Sequence, residues 1–178
     1  MNKTTALEDL SYIKKIISDS KKTALDNGFG FIIWGILISI ALLFNYYAIV
    51  TELHGWTFYI WIAAVGIGWL ITFYDNSKHK KKRVPSTYAG KILGSVWMSL
   101  GVVMTIIGFG ATTLGALKGV YITSFISLQI GIGFIVTGTV YSNKVMMFLG
   151  LAWWLGALVI MGWPGVHVLL FMAFMMIF

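Results

Sequence analysis

The sequence predicts an all-α membrane protein: about six transmembrane helices in a left-handed bundle, preceded by a short amphipathic helix. Three observations predict it. First, 58% of the 178 residues are hydrophobic and only 11% are charged, with a mean hydropathy of +0.86. Soluble domains carry about 25% charged residues, so lipid must cover this much apolar surface. Second, apolar runs of membrane-crossing length alternate with short polar turns. Third, the one dense block of charge, Lys78–Arg83 (Lys-His-Lys-Lys-Lys-Arg), separates two long apolar territories. Clustered Lys and Arg cost kilocalories per residue to move across a bilayer, so this block stays on the cytoplasmic side and orients every other segment.

Residues 1–27 read as a cytoplasmic helix. Thr5 and Glu8 fit a capping box, Leu10, Ile13 and Ile17 form an apolar stripe, and Asn27-Gly28 closes it. Its expected place is on lipid head groups or the loops beneath the bundle, with docking to a protein partner as the other reading. Residues 28–178 form the transmembrane domain. Phe29–Val50 is the first span, followed by the tight turn Thr51–Gly55; Trp56–Phe73 returns, with Trp56 and Trp69 as interfacial belt residues. A basic cytoplasmic loop is predicted over 74–91, then spans over Ile92–Thr112, Tyr121–Tyr141 and Val145–Met161. Gly162-Trp163-Pro164-Gly165 breaks the chain before Val166–Phe178. That last run reaches about 20 Å against roughly 30 Å of hydrocarbon, which points to a truncated chain or to local thinning of the bilayer.

The charges test this scheme. Of 13 Lys and Arg residues, all but Lys118 fall on one side of it. Both termini are therefore expected in the cytoplasm, with an even number of crossings. Lys78, Lys80, Lys81, Lys82 and Arg83 are expected to contact the phosphates of anionic lipids, which accounts for the net charge of +7 without nucleic acid.

Chemistry is sparse. The chain has no cysteine, and no Asp, Glu, Lys or Arg falls inside a predicted span. Proton relays and intramembrane nucleophiles need such groups at depth, so no enzyme and no cofactor is expected. Asn45, Gln129, Thr105 and Thr137 serve as interhelical hydrogen-bonding groups, or, with Asn45, Gln129 and Thr137 in one line, as a polar path. His54 and His167 map to the outer side, with Glu52 as the only further donor. A stable metal site wants three or four ligands, so these two remain weak candidates.

Glycine carries the more specific pattern. Gly94, Gly101 and Gly108 recur every seven residues, with Thr105 on the same stripe. A seven-residue repeat follows one face of a bundled helix, and glycine there admits a neighbouring backbone, so helix 3 is expected to be central. Gly28–Gly35 (GFGFIIWG) and Gly131–Gly138 (GIGFIVTG) match in part, but one opens a helix and the other closes one; the match is packing chemistry and not duplication.

The amphipathic tail, the Phe31–Gly35 entry ending Ile-Trp-Gly, the basic segment after helix 2 and the six-helix layout together resemble a group of small, uncharacterised bacterial integral membrane proteins. The resemblance implies a multi-pass protein of the bacterial inner membrane and carries over no catalytic residues. The expected role is a non-enzymatic assembly, scaffolding or sensing module, pairing with itself or with another membrane protein. The alternative is a small facilitator or channel for a neutral or apolar solute.

Overall fold

The computed structural model describes residues 28–81 and 88–177, and all of them fall in helices or short connections. The predicted tail helix, Lys82 and Arg83 lie outside the described residues. Six α-helices follow in order: α1 Gly28–Val50, α2 Trp56–Lys81, α3 Tyr88–Thr105, α4 Ile122–Tyr141, α5 Lys144–Gly162 and α6 Val168–Ile177. The first five are long and apolar enough to cross a membrane.

Three boundaries differ from the sequence expectation. The segment 74–91 is not one loop, because α2 stays helical through Lys81 and α3 begins at Tyr88. With 26 residues α2 is about 39 Å long, so its last turns stand beyond the hydrocarbon, where lysine is a good helix former. The sixth helix is described over Val168–Ile177 only, shorter than the predicted Val166–Phe178 run. Its 10 residues reach about 15 Å, half the hydrocarbon thickness. Finally, α3 runs into the wider turns of a π-helix over Ile106–Ala111. Glycines and back-bonding threonines crowd that stretch: Thr105 donates to Gly101 O at 2.8 Å, Thr112 to Gly108 O, and Thr113 to Phe109 O at 2.7 Å. Hydroxyls bound to a carbonyl four residues back compete with the regular ladder.

The connection between α4 and α5 is the tightest. Ser142 takes a left-handed conformation (φ 52°) and its N–H returns to Gly138 O and Thr139 O, closing α4. Asn143 then caps α5, its Oδ1 accepting from the backbone of Val145 at 2.9 Å and of Met146 at 3.3 Å.

The core lies between α1, α4, α5 and α6. Leu42, Ile130, Trp153, Leu169, Met172 and Ala173 form one buried cluster. The short α6 wedges against α1, where Ser39 Oγ donates to Ala173 O at 3.1 Å. A Cβ on Gly35 would lie 2.7 Å from Met176 O, so only glycine admits that backbone. By contrast α2 and α3 are the least buried spans and flank the core.

Candidate functional site

Tryptophan rings seated on glycines fasten one helix to the next. The indole of Trp34 (α1) fills the space over Gly68 (α2), and its N–H donates to Thr72 Oγ1 at 3.0 Å. Thr72 in turn donates to Gly68 O at 2.9 Å. The same device recurs between α3 and α4. Trp97 covers Gly133 and donates to Thr137 Oγ1 at 3.1 Å, while Thr137 donates to Gly133 O at 2.7 Å. Donor and acceptor are 38 residues apart in the first clamp and 40 in the second.

The likeness extends to the rings. Trp34 meets Trp69 edge-on at 6.2 Å and 83°, and Trp97 meets Phe134 edge-on at 5.9 Å and 87°. Trp69 and Phe134 each follow their clamp's glycine directly. The sequence around the two glycines reads Gly-Ile-Gly-Trp-Leu-Ile-Thr over 66–72 and Gly-Ile-Gly-Phe-Ile-Val-Thr over 131–137. The two clamps thus share hydrogen bonding and ring packing, and the short stretches 66–72 and 131–137 that hold their glycines are alike.

Two backbones also approach closely between α4 and α5. A Cβ on Gly131 would meet the Trp154 ring and lie 3.0 Å from Gly150 O; one on Gly150 would lie 2.9 Å from Gly131 O. The Trp154 indole is held by its N–H to Leu128 O at 3.1 Å. At the basic end a Cβ on Gly138 would fall 2.7 Å from the backbone nitrogen of Met147. Ser124, Gly131 and Gly138 are spaced by seven and all buried, so the close-packed small-residue seam belongs to α4.

Helix 3 differs from its expected role. Among the described residues, a Cβ on Gly94 or Gly108 meets nothing within 4 Å, and one on Gly101 meets only the Trp69 ring, at 3.2 Å. Thr105 bonds back to its own helix. No described backbone lies against this seam. We therefore expect Gly94→Leu and Gly108→Leu to leave thermal stability in detergent within about 0.5 kcal/mol of the parent, as for substitutions away from packed features. A clear drop in melting temperature for both would show that another segment covers this face.

The polar residues are distributed among different tasks. Thr137 belongs to the second clamp. Gln129 donates from Nε2 to Phe125 O at 3.2 Å. Asn45 is buried on α1 close to the core leucine Leu42. Asn45 Oδ1, Gln129 Oε1 and the hydroxyls of Thr123, Ser124 and Ser127 are buried with no hydrogen-bond partner among the described residues. A cavity of about 400 Å³ opens at Gly55, Trp56 and Tyr59, and one of about 290 Å³ at Val159, Ile160, Trp163, His167, Val168 and Phe171. Neither is lined by Asn45, Gln129 or Thr137.

His167 packs on Trp163 with ring centres 5.1 Å apart, and its Nε2 lies 3.0 Å from Trp163 O. His54 sits in the exposed turn after α1. Among the described residues no three His, Asp or Glu side chains gather where a metal ion could bind. Lys78, Lys80 and Lys81 lie on the helical end of α2.

Five long apolar helices define the class: this is a small, all-helical, multi-pass membrane protein. Compared with protein-family models, curated proteins and solved structures, the chain matches none of them.

Proposed function

We propose that the protein is a non-enzymatic assembly module of a bacterial cell membrane, scaffolding or sensing through contacts with a second copy or with another membrane protein. The observation that carries this reading is the uneven cover of the bundle. Clamps and glycine contacts fasten the interior, yet α2 and α3 turn broad apolar faces outward. Helices that contribute so little to their own core are free to pack against others. The spans Trp56–Asp75 and Ala89–Ala111 also hold no charged residue but Asp75 and Lys91, both near the basic end. The test is subunit counting of singly labelled protein in bilayers at increasing lipid dilution. Stable assemblies are expected; single copies at every dilution, with no defined partner, would overturn the reading.

The five unpartnered buried oxygens favour a second reading, a facilitator for a neutral solute. Its test is glycerol flux into vesicles carrying the protein, with Gln129→Leu expected to abolish any flux.

Orientation follows from charge. We place the Lys78–Arg83 segment and both termini in the cytoplasm, with the basic side chains near anionic lipid phosphates. The chain lacks cysteine, so single-cysteine variants report cleanly. Ser77→Cys is expected to react with an impermeant thiol reagent only from the cytoplasmic side and Glu52→Cys only from outside. Reversed labelling in intact cells would end the orientation.

A further inference from the structure

We propose that Thr123, Ser124 and Ser127 of α4, with Asn45 of α1, form an enclosed site that binds water, in the half of the bundle away from the lysines of α2. The site takes four of the five oxygens behind the second reading above and gives them an occupant, whether or not a solute passes.

Helix geometry brings the groups together. Thr123, Ser124 and Ser127 fall within one turn and an arc of about 100° on α4. Ser124 stands one heptad from Gly131 and continues the face that meets α5. Thr123 and Ser127 continue the face of Phe134, whose ring stacks on Phe31 of α1 at 5.8 Å. Counted from that ring pair, Thr123 lies about 16 Å along α4, and Asn45 about 21 Å along the matching face of α1. Gln129 lies on the far side of α4 and is not part of the site.

The protein leaves these groups unpaired. Their oxygens have no hydrogen-bond partner among the described residues, and all four residues are more than nine-tenths buried, Ser124 and Ser127 completely. One heptad out from the contact of Gly131 with Gly150, Ser124 comes level with Ala157, which is buried and offers only a methyl group. On the α1 side Thr123 comes level with Leu42. Other hydroxyls in the spans donate to the carbonyl four residues back, as Thr72, Thr105, Thr137 and Thr139 do. These three do not. A buried hydroxyl without a partner costs as much as a typical hydrogen bond gains, or more, so three in one turn call for an occupant.

The chemistry selects a small neutral one. Neither α1 nor α4 holds a charged residue. A cation would meet the positive end of α4, and an anion would meet Asn45 Oδ1. Water suits both kinds of group: it donates to Asn45 Oδ1 and exchanges bonds with hydroxyls, which donate and accept alike. A buried water makes about three hydrogen bonds, so four groups suit about one or two molecules.

The experiment compares thiol reactivity at two buried positions of this cysteine-free chain. Thiols react as thiolates, which form only where water solvates them. Ser127→Cys is expected to react with methyl methanethiosulfonate in detergent at least tenfold faster than Ala173→Cys, which is similarly buried but lies in the apolar core cluster. Ser124→Ala and Ser127→Ala are each expected to lower the melting temperature by about 2–4 °C, because the bound water loses a partner. In a dry site the same changes would remove an unpaired hydroxyl and raise it. Equal thiol rates at 127 and 173, or melting temperatures unchanged or raised by both alanine changes, would overturn the site. Glycerol flux without the rate difference would keep the second reading and discard the water site, while the rate difference without flux would do the reverse.

Discussion

Gly131→Leu is expected to destabilise the bundle by about 3 kcal/mol or more, the upper end of the range for overpacking a core. The reason is what the new side chain would meet. Gly131 faces the backbone of Gly150 on one side and the Trp154 ring on the other. A carbonyl cannot rotate away, and the ring is held by its N–H to Leu128 O. The whole of α5 would have to move outward, giving up close contacts along the tightest pair of helices. In lipid those contacts are the main force between helices, because the surroundings are as apolar as leucine. Against a total stability of about 5–15 kcal/mol the loss is large. The measurement is thermal or denaturant unfolding in one detergent system, with Gly66→Leu as the control at the equivalent but open position. Equal melting of the Gly131 variant and the parent would show that α4 and α5 do not meet through this glycine.

Trp97→Ala is the second large effect, at about 3 kcal/mol. Truncating a buried tryptophan in a soluble core costs roughly 3–5 kcal/mol, and part of that is transfer from water, which lipid removes. What remains is packing. Trp97 meets Phe31 edge-on at 5.0 Å and Phe134 at 5.9 Å, and fills the space over Gly133. Such ring pairs contribute about 0.5–1.5 kcal/mol each beyond their area. The hydrogen bond to Thr137 is the lesser part, about 0.6 kcal/mol for an interhelical bond in a membrane, so Trp97→Phe should cost about 1 kcal/mol. Thr137 loses a donor but keeps its bond to Gly133 O, which limits the damage. Trp56→Ala, at a position 62% exposed, is the comparison and should change stability little. A Trp97→Ala protein as stable as Trp56→Ala would remove the clamp from the account of the fold.

Much of the architecture was legible because lipid imposes a simple rule on sequence. Runs of apolar residues of the right length showed the five spans, and Asn143 and Gly162–Gly165 marked real ends. The packing was harder to read. Gly94, Gly101 and Gly108 have the spacing of a buried seam, yet that spacing specifies a face and not what lies against it. Gly131 and Gly138 have the same spacing and do meet a partner, since Gly150 and Trp154 lie opposite the first and Met147 opposite the second. A seam is identified by both sides, and one sequence shows each side separately. The clamps were legible in principle. Gly-Ile-Gly followed four residues after its second glycine by Thr occurs at 66–72 and again at 131–137. The start of α6 was not legible, because Val166–Phe178 is apolar apart from His167 and only the fold shows that the helix begins at Val168.

The clamps also bear on how the chain is assembled during synthesis. Each hairpin carries its own fastening, so Trp34 can engage Thr72 as soon as α2 has entered the membrane, and Trp97 can engage Thr137 once α4 has followed. The contact that joins Ser39 to Ala173 is different: it spans 134 residues and waits for nearly every helix to be made. In the order of synthesis the two clamps can therefore close before the contact between α1 and α6, which needs α6 to have been made.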